Sequence, residues 1–189
     1  MKPLTSATPH VIIMVGIPGA GKSAFAEHFA KTFQAPIVHY GQLLTATRND
    51  NDAADAVAAL LLDELLKTKG TLIYDGPTDT KASRFDIVRL VESQGYKSLL
   101  VWVQTESIEA KRRATRKRAD EPSLTPDEFD TAIKRFSPPT AAENPVVISG
   151  KHTYASQLKI VLKRLAGTQR PETPETPRVR PAARNIIVR

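Results

Sequence analysis

Gly16-Ile17-Pro18-Gly19-Ala20-Gly21-Lys22-Ser23 follows the spacing G-x-x-x-x-G-K-S/T, a pattern whose physical content is a loop of inward-facing main-chain amides. The apolar run Val11-Ile12-Ile13-Met14-Val15 precedes it and is long enough for a buried strand. Ala24 to Ala30 follows with helical spacing. Glycines let the backbone curl so that successive N–H groups point into one concavity, with the positive end of the helix beneath them. A triphosphate placed there meets backbone donors, the Lys22 ammonium near its β and γ groups, and a Mg2+ ion held by the Ser23 hydroxyl. The competing reading is a glycine-rich turn before a helix, with Lys22 merely solvated. A full match in a strand–loop–helix context favours nucleotide binding. Gly16, Pro18, Gly19, Ala20, Gly21, Lys22, Ser23 and Ala24 are therefore the candidate nucleotide-binding residues.

Working outward, the chain supplies the rest of a parallel sheet. Ala35 to His39, Thr71 to Tyr74, Ser98 to Val103 and Val146 to Ile148 are short apolar runs. Each is separated from the next by a helical pattern, which means a parallel sheet covered on both faces. Gly41 to Thr47 can open a short helix after the second strand. From Ala53 to Lys69, Val57, Leu61 and Leu65 form one stripe, widened by Leu60, Leu62 and Leu66. Thr80 can cap a helix through Gln94, and Glu106 to Arg118 reads as a helix with a basic outer half. Thr125-Pro126-Asp127-Glu128 is a capping box with proline at the first helical position, predicting a helix to about Phe136. The last helix, near Thr153 to Ala166, places Tyr154, Leu158, Val161, Leu162 and Leu165 on one face.

In an open parallel sheet, ligands bind beyond the carboxyl ends of the strands. Asp75, directly after the third strand, should project toward Ser23 and hold the metal ion or orient a nucleophile. As Gly76-Pro77 follows, a turn cap is its structural alternative. Asp79 is as well placed to cap the helix near Thr80 as to touch an acceptor. Lys111, Arg112, Arg113, Arg116, Lys117 and Arg118 form a basic cluster poor in intervening acids. Like charges at this spacing destabilise a helix unless something anionic neutralises them, and arginines over phosphates accelerate phosphoryl transfer. Arg112 and Arg116, one turn apart, are the candidate lid residues. His10, His28, His39 and His152 are scattered singly, without metal or triad spacing, and read as structural.

Composition sets bounds on all of this. The 189 residues suffice for one domain with a real core, at 41% hydrophobic and 25% charged. No apolar stretch approaches the roughly 18 residues of a membrane span, and Met1 to His10 lacks the apolar core of a signal peptide. Zero cysteines exclude disulfides and thiolate metal sites, so a cytoplasmic location is expected. The net charge of +7 suits an anionic ligand and permits a nucleic-acid partner without requiring one. Five arginines against two glutamates after Gly167 place +3 of it in the tail. That tail is rich in Pro, Thr, Glu and Arg, has little to bury, and is expected to be mostly disordered. Its end, Ile186-Ile187-Val188, reads either as a frayed terminus or as a segment that docks on a sheet edge.

These residues resemble the P-loop kinase group of adenylate-type nucleotide kinases, polynucleotide kinases and zeta-toxin-like, AAA-type ATP-binding proteins. Gly16 to Ser23, with Pro18-Gly19, looks like the polynucleotide kinase loop. Thr105-Glu106 through Arg112 and Arg116 resembles that family's segment from the fourth strand into the lid. Asp75-Gly76-Pro77 looks like the Asp-Gly segment of the monophosphate kinases, whose aspartate organises magnesium. The resemblance covers Pro9 to Leu165. It implies a three-layer P-loop fold with five parallel strands in the order 2-3-1-4-5, ATP and Mg2+ as cofactors, and a basic helical lid. Residues 1–166 would form the kinase-like domain and 167–189 the tail. Gly41-Gln42-Leu43-Leu44-Thr45 departs from the family, having neither the aspartate nor the arginine of the acceptor-binding turn. Thr78 and Asp79 stand where a second acceptor arginine is expected, with Arg48 and Arg84 as conceivable substitutes.

The resulting expectation is a phosphotransferase in which Lys22 binds phosphates and Ser23 and Asp75 organise Mg2+. Arg112 and Arg116 would close on the transition state. Its unidentified phosphoryl acceptor would be a polynucleotide end, a nucleoside or a small metabolite. The alternative is a non-catalytic or slowly hydrolysing ATP-dependent switch, with the basic lid or tail contacting a partner or nucleic acid.

Overall fold

The computed structural model describes residues 8–116 and 123–168. The elements are, in chain order, β1 (His10–Val15), α1 (Lys22–Phe33), β2 (Ile37–His39), α2 (Tyr40–Ala46), α3 (Asn51–Lys67), β3 (Leu72–Asp75) and α4 (Lys81–Ser93). They continue with β4 (Lys97–Gln104), α5 (Ser107–Ala114), α6 (Pro126–Arg135), β5 (Val146–Ser149) and α7 (Tyr154–Thr168). All strand pairs are parallel, in the order β2-β3-β1-β4-β5, as the family resemblance implied. β1 lies in the middle and all six of its residues are buried, which is why Val11 to Val15 are apolar rather than alternating.

Two apolar layers flank the sheet. On one side, Ile12, Met14, Ile73, Val101 and Val103 pack against Phe25 and Phe29 of α1 and Val161 and Leu165 of α7. On the other, Val11, Ile13, Val15, Leu72 and Leu100 pack against Ala58, Leu62 and Leu66 of α3 and Ile87 and Val91 of α4. Helix ends follow local chemistry. Thr80 caps α4 by accepting from the Ser83 amide, while the Ser83 hydroxyl oxygen accepts from the Thr80 amide. Thr125 and Glu128 form the expected reciprocal cap of α6. Thr140 and Glu143 close a similar box around a single 3₁₀ turn, Ala141–Glu143, within the proline-bounded connection.

The buried face of α3 is rotated from the expected one. Ala54, Ala58, Leu62 and Leu66 face the sheet, Leu61 and Leu65 flank them, and Val57 and Leu60 are exposed at 42% and 66%. A leucine-rich run offers a wide apolar arc. The small side chains of Ala54 and Ala58 let the helix lie close to the sheet, so they take the centre of it.

Arg84 also differs from expectation. Its side chain is fully buried, its guanidinium donates to both carboxylate oxygens of Glu143, at 2.6 and 3.1 Å, and to the carbonyls of Thr78 and Ser137. It is a bolt between α4 and the segment after α6, so it does not substitute for an acceptor arginine. Arg48 sits in an exposed turn at φ 56°.

Candidate functional site

The register of the sheet assembles the site. His39 and Asp75 are paired across the carboxyl ends of β2 and β3, and β1 ends beside them at Val15, one residue before the glycine loop. Because strand side chains alternate, Asp75 emerges on the same face as Ile73, which packs against α1. Asp75 is thereby aimed at the layer that carries Lys22 and Ser23, and it is buried.

The loop is held by its neighbours' backbones. Gly21 caps α1 in the left-handed region at φ 105°. Gly19 lies at φ 74°, and a β-carbon on it would stand 2.1 Å from the Ala110 carbonyl of α5. The Thr105 hydroxyl donates to the Ala20 carbonyl at 2.9 Å. A β-carbon at Gly150, after β5, would meet that same carbonyl at 2.1 Å. The loop is thus clasped from the ends of β4 and β5, which leaves its other side facing β2 and β3. The Lys22 ammonium donates to the carbonyls of Gly16 at 2.8 Å and Ile17 at 3.2 Å. Burial pulls its pKa below the ordinary lysine value, while the charges of Asp75 and Asp79 act in the opposite direction.

A cavity of about 280 Å³ opens here. It is lined by Gly16, Pro18, Lys22 and Ser23 from the loop, by His39 to Gly41 and Asp75 to Asp79, and by Ala132, Arg135 and Phe136 from the end of α6. Lys22, Ser23 and Asp75, read separately from the sequence, come together in it. Ser23 and Asp75 offer hard oxygen donors, the chemistry that suits Mg2+, so the residues present fit the ion. Burial, followed by the Asp55 carboxylate, pushes the Tyr40 phenol up to about 12, so it stays protonated at neutral pH.

Three further side chains of the cavity carry no motif in the sequence. His39 is 8% exposed and neither ring nitrogen has a hydrogen-bond partner among the described residues. Its Nε2 stands 3.5 Å from Glu27 Oε1 of α1 and 4.0 Å from Asp75 Oδ2. Arg135 enters from α6 and ion-pairs with Asp79, so Asp79 does not cap α4. Phe136 forms an apolar wall. The only sequence signal for His39 was its place at the carboxyl end of a strand beside the one bearing Asp75.

Arg112 and Arg116 are not among the residues lining this cavity. α5 ends at Ala114 rather than continuing, and Arg116 lies exposed in the bend that follows, while Lys117 and Arg118 lie outside the described residues. Nor is the cluster short of acids once folded. Glu109 accepts from Arg112 at 2.8 and 2.9 Å and from Arg113 at 2.7 Å, and Asp130 of α6 takes Lys111 at 2.7 Å. The two arginines hold the Glu109 carboxyl down to about 2. A second cavity, about 450 Å³, lies at the ends of β4 and β5, between Ile17, Trp102, Thr105, Phe136 and Lys151.

Comparison with known proteins agrees with this fold. A family model described as an AAA domain matches residues 11–139. The gluconokinase of Sinorhizobium meliloti 1021 superposes with a TM-score of 0.60 at 16% identity, over 86% of this chain and 93% of that one. Kti12 of Chaetomium thermophilum, solved with ADP-AlF3, gives 0.65 at 15% identity over 82% and 97%. Deoxyadenosine kinase from M. mycoides with bound dATP gives 0.53 at 16% identity over 82% and 99%. No curated protein matches the sequence. At such identities the superpositions speak for the fold, and the family match carries the kinship. The chain belongs to the AAA domain family and is built as a P-loop kinase-like protein.

Proposed function

We propose that this protein transfers the γ-phosphoryl group of Mg-ATP to a hydroxyl acceptor. The observation that carries the reading is the meeting of Lys22, Ser23 and Asp75 in one cavity beneath the loop. The loop amides and Lys22 hold the polyphosphate, and Gly16, Pro18, Gly19, Ala20, Gly21 and Ala24 shape its cradle. Ser23 and Asp75 would hold Mg2+, which when bound supplies charge neutralisation at the phosphate oxygens. In the transfer, the acceptor oxygen bonds to the γ-phosphorus while the bond to the β-phosphate oxygen breaks and its electron pair leaves with ADP. The acceptor proton passes to a base, for which Asp75 is the carboxylate at hand.

Arg112 and Arg116 act in this scheme by moving onto the phosphates. The pair that Arg112 makes with Glu109 is solvent-exposed and therefore weak, so phosphate oxygens can compete for the guanidinium. Arg116→Ala should lower kcat with little change in ATP affinity, and an affinity loss alone would contradict the lid role. The general test is a transfer screen with radiolabelled ATP across oligonucleotides, nucleosides and sugars, run in parallel with Lys22→Ala. Transfer that disappears in the variant supports the proposal.

One observation favours a second reading. Arg112 and Arg113 are already held by Glu109, outside the cavity, as suits a switch that binds ATP and hydrolyses it slowly. Hydrolysis that no acceptor stimulates would select it.

A further inference from the structure

The charges of the acceptor side of the cavity do not suit a phosphorylated acceptor. Among the described residues that line it, the cations are Lys22, committed to the loop and the donor phosphates, and Arg135, tied to Asp79. Arg84 is buried against Glu143. A phosphate or carboxylate on the acceptor would lie beside Asp75 and Asp79 with no free cation to receive it, and such burial is costly. An uncharged compound meets no such penalty. It would find an apolar wall in Phe136, Ala132 and Pro77, and one polar group in want of a partner. That group is His39, 92% buried, lining the cavity with both ring nitrogens unbonded. The Glu27 and Asp75 carboxylates stand 3.5 and 4.0 Å from its Nε2, beyond good hydrogen-bond geometry. A buried imidazole without a hydrogen bond costs stability, and a hydroxyl, both donor and acceptor, would satisfy it.

We infer that the acceptor is an uncharged, hydroxyl-bearing small molecule, such as a sugar or a nucleoside. Its hydroxyl is bound by the His39 imidazole in the cavity between Tyr40, Asp75, Arg135 and Phe136. This rests on the phosphotransferase reading. It narrows that reading to one class of acceptor and adds a binding residue. The Asp79–Arg135 pair acts as the selectivity device, because among the described residues it neutralises the one lining cation, apart from Lys22, that could greet an anion.

The experiment uses the full chain and separates the two claims. Calorimetry with Mg-ATP first establishes nucleotide binding. Radiolabelled ATP is then offered with ribose, glucose, glycerol, cytidine and adenosine, and with ribose 5-phosphate, CMP, AMP and gluconate. At least one uncharged compound should accept label with kcat/KM tenfold or more above that of its anionic counterpart. His39→Gln, with His39→Asn as a second variant, should raise the KM for that acceptor about tenfold and leave the KM for ATP unchanged. Asp79→Asn, which releases Arg135, should narrow the gap between charged and uncharged acceptors. Heat from Mg-ATP with label passing only to anionic compounds, or to none of the uncharged ones, overturns the inference and leaves ATP binding intact. An unchanged acceptor KM in both His39 variants overturns the role of His39. Absence of heat removes the phosphotransferase reading itself.

Discussion

Lys22, Asp75 and His39 meet at the carboxyl ends of three strands, yet only the first two were legible in the sequence. Lys22 and Ser23 sit inside a spacing that admits few other readings, and Asp75 ends an apolar run that had to be a strand. His39 carries no motif, and a histidine judged alone looks structural. Its environment appears only once the register pairs it with Asp75 and brings Glu27 of α1 within 3.5 Å. Arg84 was misread for the same reason: nothing local announces a partner 59 residues away. Its ion pair yields a prediction of its own. Arg84 holds the Glu143 carboxyl down to about 2, well below its ordinary 4.5. A depressed carboxylate stabilises the fold above its unfolded pKa, and that contribution fades as pH falls toward the folded value. Replacing Glu143 by Gln leaves the Arg84 guanidinium buried without its counter-charge, a loss of about 3 kcal/mol at neutral pH by analogy with broken buried pairs. Denaturant melts should show that gap steady from pH 7 to about 5, and closing as pH falls from about 4.5 to about 2. A gap independent of pH would contradict the pairing.

At the scale of elements, boundaries and caps were largely readable, while faces were not always. The cap at Thr80, the capping box at Thr125 and the apolar face of α7 follow from spacing, while the return bond that makes Thr80–Ser83 a box shows only in the fold. The α3 face did not, because a run of leucines leaves the buried arc open and two alanines decided it. Leu62→Ala should therefore cost about 2–5 kcal/mol, whereas Leu60→Ala, on the exposed side, should stay within about 0.5 kcal/mol. Equal losses in chemical denaturation would mean the helix is rotated otherwise. α5 teaches a related lesson. Its basic residues looked unpaired along the chain, but Glu109 one turn back and Asp130 on α6 pair with three of them. Its contact with the loop, Ala110 against Gly19, was invisible to any periodicity. Gly19→Ala should add about 1–2 kcal/mol of left-handed strain and drive a methyl into the Ala110 carbonyl. The expected result is at least a tenfold loss of ATP affinity, and wild-type affinity would show that loop and helix are not so coupled.

For the whole molecule, alternation of buried strands with helices was enough to predict a parallel sheet with two covered faces. The strand order came from kinship, since nothing in hydrophobic spacing tells β3 to lie between β2 and β1. The site follows from that order: β1 and β3 are neighbours, so the loop and Asp75 share one edge. The proposed boundary between the kinase-like domain and its tail falls near the end of α7, which continues to Thr168. The expectation for Ile186 to Val188 lies outside the described residues, as does that for Lys117 and Arg118. No helix among the described residues is long and apolar enough to cross a membrane.

The central claim is that a nest of amides and the Lys22 ammonium hold a nucleotide's polyphosphate. Calorimetric titration of the full chain with Mg-ATP, beside Lys22→Ala, tests it most directly. The account predicts a saturable, one-site isotherm for the wild type. It predicts an affinity lowered by on the order of 10²-fold in the variant, and, at ATP a hundred times the wild-type Kd, a stabilisation of about 2.7 kcal/mol in the wild type against about 0.4 kcal/mol in the variant. Equal affinity in both proteins, or no binding in either, would contradict it.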